Sequence, residues 1–198
     1  MSQHPGYGAD HLPAVFPDWS PYQDLEAAAR AYLRDPDLAL DALSGVLGGA
    51  GVLTFTLERF VNEINCVWQE AAVCDGTRLL LWHGEDVPPD DDRDQAPVPA
   101  GYMTSSLRVV PLSTVAEVGI RRRLTREPDG TARVDAVDVY VLLTSLDDSE
   151  AGEADRFGPP VRHDALRFVK TLDDGGMGQI TRLEEFAQTV SALVGRPF

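Results

Sequence analysis

The residues of this chain suited to chemistry are few: four histidines, two cysteines, a run of three arginines and some aspartate-rich stretches. The histidines are His4, His11, His83 and His163. A metal site needs ligands converging on one ion at about 2.0–2.3 Å. The one local pairing, His163-Asp164, puts adjacent side chains on opposite sides of a strand. His83, before Gly84, could meet His163 only through tertiary contact. His83, His163 and Asp164 are therefore only weak metal-ligand candidates with no ligand spacing behind them; ordinary polar histidines are the better reading, and no metal is expected. Residues 89–94 hold four aspartates but lack the spaced ligands and glycine of an EF-hand loop, so they read as a solubilising loop.

Nucleophilic chemistry has no signature here. A GxSxG elbow, a P-loop and a cysteine–histidine context are all missing from the sequence. The glycines of DDGGMG at 173–178 resemble a phosphate cradle, but two aspartates precede them and no lysine follows, which suits a strand-to-helix turn better. Cys66 and Cys74 on one strand would stand about 26 Å apart, beyond disulfide reach, and read as reduced thiols. No catalytic residue and no cofactor is expected.

The arginines sit in SLRVVPLSTVAEVGIRRRL, residues 106–124. Strand alternation puts Ala116, Val118, Ile120, Arg122 and Leu124 on one face, and Glu117, Gly119, Arg121, Arg123 and Thr125 on the other. Arg121 and Arg123 then share a polar face, where Glu117 offers an ion pair. Arg122 lies on the apolar face near its rim, its stem covering core while its head reaches water. Arg121 and Arg123 form either a site for an anion or an acidic partner, or a solvated strand end.

These residues need a scaffold. Residues 1–19 carry three prolines without periodicity and read as a flexible arm, with Phe16 and Trp19 able to pin its end. A helical segment spans 20–49. Its first helix is expected from Ser20 as cap with Pro21 and Gln23, and its second from Asp35-Pro36 to Gly48-Gly49. From 52 to 195, β-branched and aromatic runs alternate with turn signals such as Asp75-Gly76 and Pro128-Asp129-Gly130. Acidic, proline-bearing loops near 85–101 and 147–160 are too polar to pack and are expected to be disordered. A capping box at Thr181 and Glu184 opens a closing amphipathic helix that stops at Gly195. The core aromatics are expected to be Phe55, Phe60, Trp68, Trp82, Tyr140 and Phe168.

Two short helices, about seven mostly sequential strands and one helix make an α+β chain with a small antiparallel bent sheet or partly open barrel, capped by the last helix. The 198 residues suit one domain, and 43% hydrophobic content supplies a core. A net charge of −15 disfavours nucleic acid and anionic membranes. No run is long and apolar enough for a membrane span, and no basic stretch precedes an apolar one as in a secretory signal, so a cytoplasmic protein is expected.

The order resembles a pleckstrin-homology-like (PH-like, GRAM-like) domain, in which two near-orthogonal antiparallel sheets are closed at one corner by a C-terminal helix. DGTRLLLWHG, LRVVPLSTVAEVGIRR and the helix at 181–194 carry the likeness across residues 52–195. The plan also looks like an actinobacterial protein family with N-terminal helices, a proline-bearing loop and the same closing helix. Some relatives of that family are labelled phosphodiesterases, a label with no metal-ligand motif behind it here. The resemblance implies a non-enzymatic binding or scaffolding module, engaging a protein partner or a second copy of itself. Phosphoinositide-binding PH domains place basic residues near their first strands. The region 54–69 here carries Arg59 against Glu58 and Glu63, which argues against a lipid headgroup. A phosphoester hydrolase using His83, His163 and nearby aspartates is the alternative, and a small-ligand pocket beside the N-terminal helices is another.

Overall fold

In the computed structural model, which describes residues 17–87, 102–144 and 165–195, the strand-forming runs make two antiparallel sheets. The first holds β1 (Thr54–Val61), β2 (Val67–Cys74), β3 (Arg78–Asp86) and β4 (Met103–Pro111) in chain order. The second holds β5 (Val115–Arg126), β6 (Ala132–Leu143) and β7 (Ala165–Thr171), again in chain order. Helices α1 (Leu25–Tyr32) and α2 (Pro36–Leu47) precede them, and α3 (Gly176–Leu193) closes the chain. The α+β class and seven antiparallel strands stand as expected; a single bent sheet or barrel does not. The ladder stops at Pro111, where a 3-10 turn at Leu112–Thr114 carries the chain from one sheet to the other. Between β1 and β7 the link is a side chain: Val169 N donates to Glu58 Oε1 at 2.8 Å.

The first sheet is covered on both faces over the middle of β1 to β3, while β4 is largely exposed. Phe55 and Leu57 of β1, Ala71 and Val73 of β2, and Leu80 and Trp82 of β3 pack against Ala28, Ala29 and Tyr32 of α1 and Ala39 and Leu43 of α2. The alternate residues Ala72, Cys74, Leu79 and Val110 face Val137, Val139, Val141 and Phe168 of the second sheet and the apolar stripe of α3. A strand with both faces covered needs few polar positions, and β2 is accordingly buried over its last four residues. Each fully buried leucine, valine or phenylalanine contributes about 1.5–3 kcal/mol. Trp19, with no exposed surface, stacks on Phe55 at 5.5 Å, and the Arg182 guanidinium of α3 lies over both rings. The arm expected over 1–19 is thus fixed at its end.

The helix starts differ from expectation. Asp24, not Ser20, caps α1, its carboxylate accepting from Ala27 N, while Trp19 to Tyr22 form a turn. Both residue types cap well, and the one ahead of the apolar face prevails. α3 begins at Gly176, five residues before the expected Thr181, whose hydroxyl donates back to Met177 O inside the helix. α2 starts at Pro36 and ends at left-handed Gly48 as read. Among the expected core aromatics, Phe60 is 60% exposed. The expected loops near 85–101 and 147–160 lie mostly outside the described residues, β3 itself running to Asp86.

Candidate functional site

The outer face of the second sheet carries the arginines. Strand register sets Arg121 opposite Asp138, Arg123 opposite Ala136, and Tyr140 opposite Arg167. Arg121 donates to Asp138, and Arg167 donates to the same carboxylate from Nε at 2.9 Å and Nη2 at 2.6 Å. Two guanidiniums on one carboxylate leave an excess positive charge, and they hold Asp138 below the usual carboxylate range, Arg167 contributing most. Glu117 is not the partner of Arg121 or Arg123; it accepts from Tyr140 Oη at 3.0 Å. The cross-strand neighbour is simply nearer than the one four residues along the same strand. Arg122 does face the core side, and its Nε reaches Glu184 Oε1 on α3 at 2.5 Å. Glu184 is thus an ion-pair partner rather than half of a capping box. Arg123 and Arg126 are exposed and make no ion pair among the described residues.

β5 is also an edge. Among the described residues it pairs with β6 alone, so its other side presents unpaired N–H and C=O groups. Residues 121 to 126 are all exposed, including Leu124 at 56%. Among the described residues β4 pairs only with β3, and a depression of about 240 Å³ lies between its end, at Arg108 and Val109, and Thr114 and Leu143. Comparison with protein-family models, with curated proteins and with solved structures finds no match. The reading of this surface therefore rests on its own chemistry.

A second group of ionisable residues lies between the sheets. Glu58, Glu70 and His83 occupy one row across β1, β2 and β3. His83 Nδ1 is 3.3 Å from Glu70 Oε1 and its Nε2 is 3.5 Å from Glu85 Oε2, so both ring nitrogens are engaged by carboxylates. No group of three metal-ligating side chains occurs among the described residues, and His163 and Asp164 lie outside them. Burial pushes the Glu58 carboxyl up to about 7, against the pull of Lys170 and the Val169 N–H. Burial likewise raises Glu70, opposed by His83.

Lys170, the only lysine in the chain, has no exposed surface. Its ammonium donates to Tyr32 Oη at 3.3 Å and lies 4.0 Å from Asp174 Oδ2. Burial lowers its pKa, with Glu58 and Asp174 opposing. Lysine, glutamate and tyrosine together suggest proton-transfer chemistry. A buried amine that no substrate can reach is instead a structural cross-brace between α1, β1 and β7. The sequence reading passed over this group, although a signal existed. Lys170 is in phase with Leu166 and Phe168, and so had to face the core.

Proposed function

We propose that the chain is a non-enzymatic PH-like binding module whose β5 edge takes up an extended, acidic segment of a partner protein. The observation that carries this reading is the open twelve-residue edge of β5 with Arg121, Arg123 and Arg126 on its exposed half. Strand addition would supply main-chain hydrogen bonds, and the arginines would select acidic side chains at alternate positions. Sheets of four and three strands closed by a C-terminal helix suit the PH-like arrangement.

Self-association through this edge is disfavoured by charge. An antiparallel pairing of two β5 strands about Arg121 would set like charges directly opposite each other, which destabilises a cross-strand pair. The hydrolase alternative needs a reactive group with free capacity, and His83 is held between Glu70 and Glu85.

The reading is tested by fluorescence polarisation with an extended peptide alternating glutamate and valine. The expected result is saturable binding that weakens at least tenfold in the double variant Arg123→Glu, Arg126→Glu, and that is lost when alternate peptide amides are N-methylated. Indifference to N-methylation, or hydrogen-exchange protection confined to α1 and α2, counts against an edge-strand mode.

A further inference from the structure

At the far end of the first sheet, away from β5, lies a depression of about 500 Å³ with a different chemistry. Its walls are Phe60, Trp68, Val67 and Cys66, with Glu85 and Asp86 at one side and Asn62 at the turn. Cross-strand register explains the grouping: Phe60 of β1 is opposite Trp68 of β2, and Trp68 is opposite Glu85 of β3. Two aromatic rings and a carboxylate thus stand in one row on one face.

The row is held in place. The Trp68 ring meets His83 edge-on at 5.5 Å, and His83 in turn approaches Glu85. The β1–β2 turn above it is tied by Asn62, whose side-chain oxygen accepts from Ile64 N at 3.1 Å and Cys66 N at 2.9 Å. Asn65 takes a left-handed conformation, φ 62°, to close that turn. Apolar surface remains uncovered here, with Phe60 at 60% and Ile64 at 65% exposure.

The carboxylates are not equivalent. Asp86 is already saturated: it accepts from both Nη atoms of Arg34 at 2.6 Å and from Val67 N at 2.9 Å. Glu85 is half exposed, with His83 its one ion-pair neighbour among the described residues. No arginine or lysine lines the depression. Aromatic faces attract cations through their negative quadrupole, and the aliphatic stem of a basic side chain packs on such surface while its head stays polar. An anion would meet the half-exposed Glu85 carboxylate, the Arg34 guanidinium beside Asp86 being already taken up by that carboxylate.

We propose that this depression binds an arginine or lysine side chain of a partner polypeptide, its stem on Phe60 and Trp68 and its charged head on Glu85. The net charge of −15 steers such a partner toward the molecule. The site is independent of the β5 edge: it recognises the opposite charge, on the other sheet.

The test uses the full chain and a labelled short peptide of arginine, leucine and glycine, read by polarisation and by the Trp68 indole N–H resonance. Binding is expected to weaken at least tenfold when the arginines are replaced by citrulline, which keeps shape and removes charge. Glu85→Gln and Phe60→Ala, both at exposed positions, should each weaken it at least fivefold, whereas Glu185→Gln, the same charge change at an exposed position on α3, leaves it unchanged. Arginine amide alone should shift the same resonance only at far higher concentration. Equal binding of the citrulline peptide, insensitivity to Glu85→Gln, absence of binding at millimolar peptide, or equally tight arginine amide overturns the proposal. Failure of the β5 peptide assay leaves these results unaffected.

Discussion

Replacing Glu58 by glutamine should stabilise the protein at alkaline pH and do almost nothing at pH 4. The carboxyl is pushed from its ordinary 4.5 up to about 7, chiefly by burial. The folded state therefore binds this proton more tightly than the unfolded chain does. Stability from this residue is fully present below about pH 4.5 and is lost as pH rises through 7. At about 1.4 kcal/mol for each pH interval between the two values, the loss is about 3 kcal/mol by pH 8. Glutamine mimics the protonated acid and keeps an oxygen to accept from Val169 N. Urea unfolding followed by tryptophan emission, with Trp19 and Trp82 both fully buried, reads the difference. The glutamine variant should match the parent at pH 4 and exceed it by about 3 kcal/mol at pH 8, a midpoint gain of about 1 M or more. Parallel pH profiles would refute the reasoning, and so would a glutamine variant weaker than the parent at pH 8. The second result would mean that the charge on Glu58 serves Lys170 more than its burial costs.

Other positions give sharper, smaller tests. Gly178 sits inside α3, where alanine would normally gain about 1 kcal/mol, yet an added Cβ would overlap the Ser20 hydroxyl and touch Ser20 Cβ at 3.0 Å. Gly178→Ala should therefore destabilise by about 1–3 kcal/mol, with partial recovery on adding Ser20→Ala, measured by thermal unfolding. On the outer face of the second sheet, a Cβ at Gly119 would overlap the Tyr140 ring. Gly119→Ala should displace that ring, lose its bond to Glu117 and cost about 1–2 kcal/mol, but cost far less in a Tyr140→Ala background in a double-mutant cycle. Asp138 is held below the usual range, so its contribution is present above about pH 4 and is lost as pH falls. Asp138→Asn should therefore lower stability slightly at pH 7, its arginine partners being mostly exposed, and the gap to the parent should close as pH falls below about 4, which flattens the acid limb of the profile.

The sequence showed most of the scaffold because its signals are local. β-branched runs, Asp75-Gly76, the Asp35-Pro36 start and the Gly48 stop each depend on a few neighbours. Cap positions were less certain, since Ser20 and Asp24 are chemically interchangeable there and only packing of Leu25 and Ala28 selects one. Contacts between distant residues were not legible. Asp138 prevails over Glu117 as the partner of Arg121 because of strand register, which the spacing of β5 alone does not fix. The Glu58–Val169 bond joins residues 111 positions apart. The row of Phe60, Trp68 and Glu85 likewise needed two strand registers to become visible, and residue types alone had assigned both aromatics to the core.

Lys170, described above as a brace, also determines how the molecule can be marked. Every other basic side chain in the chain is an arginine or a histidine. Acyl transfer to lysine, reductive methylation and lysine-directed proteolysis therefore share a single side-chain target, and it lies behind β1 and α1. In the native state that target is closed. Such reagents count only those molecules in which β7 has come away from Tyr32, so the chain carries its own reporter of opening between its two sheets.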